Sequence, residues 1–203
     1  MRLRNLSFSS DNQASGLTPG VPPTAGPAIP AIDPELSSIR DRAIFLLHTA
    51  AEIEHALLVQ YLYAYFTAPA GSKIEWTRNI LTIAIQEMGH LITVQNVLLA
   101  MRAPLNLERE DFPFRRGYYP FEFSLDPFSL KTLARYTLAE MPSTGNGLGA
   151  EELATLNKLA DVTAGVSNVP PLYDLMIDTV SQVDPSEFLG DTTLDLQAMP
   201  GEW

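Results

Sequence analysis

The chain has 203 residues, of which 46% are hydrophobic and 18% are charged, as expected for a globular protein with a sizeable core. Its 24 acidic residues outnumber the 13 basic ones and leave a net charge of −11, which disfavours binding to nucleic acid or to an anionic membrane surface. The absence of cysteine excludes disulfides, thiolate metal sites and cysteine nucleophiles.

The two ends of the chain differ in composition from its middle. Residues 1–32 contain five prolines and three glycines, which predict an extended arm and suggest a homodimer. Residues 184–203 are predicted to form an acidic tail. No apolar run reaches the length of a membrane-spanning helix, and the first residues, MRLRNLS, lack the apolar stretch of a secretory signal. We therefore expect a soluble, cytoplasmic protein without a membrane partner.

Between these ends, residues 33–183 carry helical periodicity and predict an all-α domain. The first long helix is predicted over residues 33–66, because Asp33 is a capping residue and Pro34 suits the first helical position. The second is predicted over residues 72–101, because its opening sequence SKIE has the capping-box pattern. The short connection between them predicts antiparallel neighbours.

Three further helical segments follow: a third long helix from the Asp126-Pro127 pair to Pro142, a weaker helix over residues 150–161, and a fourth long helix over residues 170–183. The connection between the second and third long helices, residues 103–125, is long enough to cross a bundle. It also carries six aromatic residues: Phe112, Phe114, Tyr118, Tyr119, Phe121 and Phe123. Two helical hairpins joined by one long aromatic crossover predict a ferritin-like four-helix bundle.

Carboxylates interrupt the apolar faces of three of these helices. Glu54 lies in the apolar stripe of the first helix, with Tyr61 two turns further along the same side. Glu87 and His90 of the second helix lie three positions apart in the sequence and point the same way. Glu140 stands among apolar positions of the third helix. All three carboxylates are therefore predicted to face the core.

Burying ionised carboxylates without partners costs several kcal/mol each. The core faces of these helices offer no lysine or arginine, so a bound cation, protonation or hydrogen bonds to tyrosine and threonine must neutralise the carboxylates. Oxygen ligands together with an imidazole suit iron, manganese or zinc. We expect a metal site, with an inert relic or a ligand-binding cavity as the alternative.

Two features leave the number of metal ions open. A second Glu-x-x-His, made by Glu52 and His55, lies with His48 on another face of the first helix and is either a second ligand pair or a polar flank. The fourth helix has an apolar face without a strong ligand, and Tyr173 only flanks that face. The site is then a single metal, a rearranged pair that recruits Glu52 and His55, or no metal site.

Two stretches, EIEHALLVQYLYA from Glu52 and QEMGHLITVQNVL from Gln86, resemble the ferritin-like family typified by the iminophenyl-pyruvate dimer synthase of the violacein pathway. In that enzyme the domain forms the C-terminal part. The resemblance covers roughly residues 40–180, and the EMGH element followed by Asn96 is its most specific part. It implies a metal site, with iron as the first choice, whose ligands are Glu54, Glu87, His90 and Glu140.

These observations lead to two functional hypotheses. The first is a metal-dependent oxidoreductase or oxidative coupling enzyme that acts on a small aromatic or amino-acid-derived metabolite, with Tyr61 as a neighbouring hydrogen-bond donor or redox group. The second is a non-catalytic helical bundle that binds a ligand or partner and has lost a complete di-metal site. Iron storage is a weaker third hypothesis.

Overall fold

The computed structural model describes residues 38–72, 74–107, 124–141, 147–161 and 169–189. These residues form five α-helices and no strand: α1 (Ile39–Phe66), α2 (Ile74–Ala100), α3 (Leu130–Glu140), α4 (Ala150–Ala160) and α5 (Pro170–Ser181). The predicted all-α class is confirmed. The arm over residues 1–32, the six aromatic residues of the crossover and residues 190–203 lie outside the described residues.

Helices α1 and α2 form an antiparallel pair at the centre of the fold. The last turns of α1 share one hydrophobic cluster with the first half of α2, through Tyr61, Ala64 and Ile80. The first turns of α1 share a second cluster with the end of α2, through Leu47 and Leu98. The predicted hairpin is therefore present, and its core runs along the whole length of both helices.

Two helices begin later than the sequence predicts. Helix α1 begins after Ser38, whose hydroxyl accepts the backbone N–H of Asp41 at 3.0 Å. Helix α3 begins after Ser129, whose hydroxyl accepts the N–H of Thr132 at 3.1 Å. In α3 this serine cap replaces the predicted Asp126-Pro127 cap, whereas the predicted Asp33-Pro34 cap of α1 lies outside the described residues. Asp126 instead binds the Arg135 guanidinium at 2.8 Å.

The predicted capping box of α2 is not found among the hydrogen bonds of the described residues, which leave out Lys73. Ser72 donates its hydroxyl hydrogen bond back to the carbonyl of Pro69, and the helix begins at Ile74. The turn before it needs Gly71, whose φ of +89° is poorly tolerated by residues with a side chain. The α1–α2 connection is thus a closed turn rather than an extension of α2.

The remaining helices are arranged around this pair. Helix α5 packs on α1, and α3 packs on α4. Tyr136 connects α3 to α1, since its hydroxyl donates to the carbonyl of Gln60 at 3.0 Å. Beyond α5, Phe188 packs on the same cluster as Leu47, and the N–H of Leu189 bonds to the carbonyl of Ala100. None of the described helices has both the length and the apolar character needed to cross a membrane.

Candidate metal centre

Three predicted ligands from α1 and α2 come together. One donor atom from each of Glu54, Glu87 and His90 lies within 4.8 Å of the other two. His90 Nδ1 is 3.5 Å from Glu54 Oε2 and 3.7 Å from Glu87 Oε2. The two glutamates are 2% and 3% exposed, whereas the His90 side chain is 59% exposed. The group therefore has a buried carboxylate side and an accessible imidazole side.

Glu140 lies near this group without belonging to it. It is the last residue of α3, where the helix gives way to extended backbone at Met141, so the residue is exposed rather than enclosed in the core as predicted. The fully buried Tyr61 donates a hydrogen bond to Glu140 Oε1 at 2.6 Å. The structure thus pairs Tyr61 of α1 with Glu140 of α3.

Tyr173 of α5 is the site residue that sequence reasoning missed. Its hydroxyl donates a hydrogen bond to Glu54 Oε1, which joins α5 to α1 at the centre of the site. A signal for it was present in the sequence, because Tyr173, Met176 and Val180 have the spacing of one helical face, and all three pack on the cluster that contains Leu47. The fourth long helix therefore contributes a phenol where a carboxylate ligand was sought.

A cavity of about 690 Å³ opens onto these groups. Its walls come from α1, α2, the end of α3 and α5, and they are mostly apolar. The described residues that line it include the acidic groups Glu54, Glu87, Glu140 and Asp174, and the only basic group among them is His90. A volume between about 300 and 1,000 Å³ with a few converging polar groups is typical of a small-molecule site.

The three grouped residues shift one another's pKa values. Burial raises the pKa of Glu87 to about 8, and the negative charges of Glu54 and Glu140 add to this shift. The carboxylates of Glu54 and Glu87 raise the pKa of His90 to about 10. Burial acts to raise the pKa of Glu54, but its interactions with His90, Glu87 and Tyr173 outweigh burial and lower it. Without a metal ion at pH 7, the group therefore holds one carboxylate, one neutral carboxyl and one imidazolium.

The residues fit a metal ion. Glu54 Oε2 is buried and has no hydrogen-bond partner among the described residues. Two carboxylates and an imidazole form the mixed oxygen and nitrogen donor set that iron, manganese and zinc accept. The described lining of the cavity contains no lysine or arginine that could neutralise the carboxylates instead. A metal ion would replace the two protons that Glu87 and His90 now hold.

The second Glu-x-x-His of α1 contacts a different part of the chain. Glu52 Oε1 accepts a hydrogen bond from Asn106 Nδ2 at 3.2 Å, and His48 Nε2 lies 3.1 Å from the carbonyl of Pro104. Burial lowers the pKa of His48 and keeps its imidazole neutral. The predictions for this part of α1 were a second ligand pair or a polar flank that faces solvent or a subunit interface. In the structure, Glu52 and His48 contact the segment that follows α2.

Comparisons with known proteins find sequence similarity to two larger proteins. The chain is 26% identical over 85% of its length to dichlorochromopyrrolate synthase of Lentzea aerocolonigenes, and 28% identical over 60% of its length to 2-imino-3-(indol-3-yl)propanoate dimerase of Chromobacterium violaceum. These matches cover 19% and 14% of the two relatives, so the chain spans less than a fifth of either protein.

No solved structure matches the chain significantly. The family model described as ferritin-like matches residues 47–201, which include Glu54, Glu87, His90, Glu140 and Tyr173. The chain belongs to the ferritin-like family.

Proposed function

We propose that this protein is a metal-dependent oxidoreductase that binds iron through Glu54, Glu87 and His90, with Glu140 facing the site from α3. The observation that carries the proposal is the convergence of these three donor groups, among which the buried Glu54 Oε2 accepts no hydrogen bond from the described residues. Iron is proposed over zinc because the family resemblance points to it, and manganese remains a second choice with the same donor set.

The surrounding residues have distinct roles in this proposal. Tyr173 holds Glu54 through its hydroxyl, so that Oε2 stays directed toward His90. Tyr61 holds Glu140 and is the donor placed to move a proton at the Oε1 atom of that carboxylate. The apolar walls exclude water from the buried carboxylates, which strengthens every charge interaction at the site. Bound iron would supply one-electron chemistry.

The proposed substrate is a small aromatic or amino-acid-derived metabolite. The cavity is large enough for a bicyclic molecule and is mostly apolar, which suits a flat ring. One of the two relatives is named a dimerase of an indole-bearing imine. If the reaction joins two such molecules, one new bond replaces two bonds to hydrogen, and two electrons and two protons pass to an oxidant such as dioxygen.

Metal analysis of the reconstituted protein tests this proposal. We expect anaerobic incubation with ferrous iron, followed by desalting, to leave about one equivalent of iron per chain. Glu54→Gln and His90→Ala should each abolish retention, whereas the matched changes Glu52→Gln and His55→Ala in the second Glu-x-x-His should not. Retention below about a tenth of an equivalent in the unaltered protein would contradict the proposal.

A non-catalytic ligand-binding bundle is the second candidate, and one observation favours it. Tyr173, the neutral Glu87 and the charged His90 together satisfy much of the site without any metal. Under this hypothesis Glu87→Leu leaves the melting temperature unchanged or raises it, and iron does not alter the melting temperature of the unaltered protein. A rise in melting temperature with ferrous iron that Glu87→Leu removes would favour the metalloprotein.

A further inference from the structure

The cavity of about 690 Å³ beside the candidate metal centre, called the main cavity below, is elongated. Helix α1 packs on both α2 and α5, whereas α2 and α5 make little direct contact with each other among the described residues. The main cavity occupies the gap between α2 and α5, above α1. Its lining on α2 runs from Glu87 to Val97, which is about 15 Å along the helix axis at a rise of 1.5 Å per residue. The lining on α5 runs from Pro170 to Ser181.

The two ends of the main cavity differ in chemistry. The carboxylates, the imidazole of His90 and the hydroxyl of Tyr173 lie at one end. The other end, called the far half below, is lined by apolar side chains of three helices: Leu47, Val94, Val97, Met176, Ile177 and Val180. All of these except Ile177 belong to one hydrophobic cluster or pack against it. The far half therefore extends the metal centre with an apolar wall.

The far half is accessible to a ligand. Leu47 and Val94 are buried and form its base, whereas Val97 and Val180 are half-buried. Ile177 is 63% exposed. Apolar side chains that stay in contact with water on the wall of a cavity gain free energy when an apolar ligand covers them.

The walls of the far half favour an aliphatic chain over a ring. The only aromatic residue in the described lining of the main cavity is Tyr173, whose hydroxyl binds Glu54 at the opposite end. A ring in the far half would have no ring to stack on. An aliphatic chain needs only close apolar contact along its length, and an elongated space between two helices provides it.

The polar end selects the head group of such a ligand. Glu54 Oε2 is buried and accepts no hydrogen bond from the described residues, so a hydroxyl or amine can donate one to it in the metal-free protein. A carboxylate head would meet the acidic side chains of Glu54 and Asp174. The described lining offers it only the imidazole of His90 as a cation, and that imidazole already lies between Glu54 and Glu87.

We infer that the substrate has a linear aliphatic chain, which lies in the far half, and an uncharged or basic head with a hydrogen-bond donor, which lies at Glu54. This inference deepens the proposed function and rests on it, since it specifies the apolar part of the substrate whose reacting end meets the metal. Of the substrate classes proposed above, it selects an amino-acid-derived metabolite with an aliphatic chain.

Calorimetric titration of chelator-treated protein with straight-chain alcohols tests the inference. Affinity should rise at least about thirtyfold from hexan-1-ol to decan-1-ol, because each further buried methylene strengthens binding. Val97→Phe fills the end of the far half, so it should weaken decan-1-ol binding at least about tenfold and change hexan-1-ol binding less than about twofold. The matched change Val59→Phe, at a half-buried position of α1 that does not line the main cavity, should alter neither affinity.

A second comparison tests the position of the head group in the unaltered protein. Decanoate should bind at least about tenfold more weakly than decan-1-ol, because its charge meets the acidic end of the main cavity. Equal binding of decanoate and decan-1-ol, equal binding of hexan-1-ol and decan-1-ol, or an equal loss of both alcohols in Val97→Phe would each overturn the inference. The first two results need no variant to fold.

The metal-free titration is separable from the test of the proposed function. Failure to retain iron together with an intact dependence on chain length would refute the metal and leave a binding site for an aliphatic chain. Retention of iron without that dependence would overturn the inference and leave the metalloprotein.

Discussion

Two glutamate–tyrosine contacts hold the walls of the main cavity, and they differ in burial. Glu54 and Tyr173 join α1 to α5 in the interior, where Glu54 is 2% exposed. Glu140 and Tyr61 join α3 to α1 at an exposed helix end. The two contacts therefore place different demands on the carboxylate. A buried carboxylate stays charged only beside a positive group, whereas an exposed one can be hydrated.

The pKa shifts of the two glutamates follow this difference. The charged His90 beside Glu54 contributes to a lowered pKa at the buried contact. At the other contact, Glu140 is exposed as a residue, but its carboxyl group is partly buried where it meets Tyr61. This burial raises the pKa of Glu140, and the nearby negative charge of Glu54 adds to the rise. The two contacts therefore shift the pKa values of their glutamates in opposite directions, downward for Glu54 and upward for Glu140.

Glutamine substitutions at the two glutamates should give the largest difference, which we expect in iron affinity. Glu54→Gln removes a buried donor from the group of three, so iron affinity should fall at least about a hundredfold. Glu140→Gln changes a residue outside that group, and the loss should be about tenfold or less. Competition against a chelator measures both. Equal losses of iron affinity would show that Glu140 binds the ion as directly as Glu54 does, contrary to the geometry of the metal-free site.

The pH dependence of metal binding should follow the shifted pKa values. Glu87, with a pKa of about 8, and His90, with a pKa of about 10, both hold protons at pH 7, and each must lose its proton to bind an ion. Affinity should therefore rise with pH, by up to about a hundredfold per unit near pH 7 and up to about tenfold per unit between pH 8 and 10. Above pH 10 it should level off.

Calorimetry in two buffers of different ionisation enthalpy counts the protons directly. Binding of zinc, used because it does not oxidise, should release about two protons per ion at pH 7. Release of fewer than about half a proton would mean that neither group is protonated in the metal-free protein.

Phenylalanine substitutions at the two tyrosines should give a smaller difference, which we expect in the free energy of unfolding. Tyr173→Phe leaves Glu54 Oε1 buried without its donor, which should cost about 1–3 kcal/mol of unfolding free energy. Tyr61→Phe leaves Glu140 at an exposed position where water replaces the hydroxyl, so the cost should be about 0.5–1.5 kcal/mol. Urea denaturation of metal-free protein measures both. A larger loss for Tyr61→Phe would contradict the assignment of the buried role to Glu54.

The sequence predicted the group around Glu54 better than it predicted the contact between Glu140 and Tyr61. Glu54, Glu87 and His90 lie inside long helices, where periodicity fixes the direction of a side chain once the helix is identified. Glu140 lies at a helix end, where periodicity gives direction but not exposure, so its accessible position was not predicted. The partners of the tyrosines depend on how helices pack, and a single helix pattern carries no such information.

The helix boundaries were predicted less well for a related reason. Asp126-Pro127 is a good cap in isolation, but Ser129 is also a cap, and α3 uses this later one. Helix α1 has Ser38 as its cap, and the predicted Asp33-Pro34 pair lies outside the described residues. In α3 the choice depends on a distant contact, because Asp126 binds Arg135 instead of the helix N-terminus. Local signals identified the helices, and tertiary contacts selected among competing ends.

The smallest expected effect concerns the second Glu-x-x-His, which has the same motif as the proposed site and a different environment. Glu52 is partly exposed, and the hydrogen bond that it accepts from Asn106 is one that a glutamine carbonyl can also accept. Glu52→Gln should therefore change the unfolding free energy by less than about 0.5 kcal/mol and leave iron content unchanged. Thermal melting and metal analysis of the same sample check both. A loss of iron comparable to that of Glu54→Gln would show that the second Glu-x-x-His binds metal despite its partly exposed position, contrary to the proposed site.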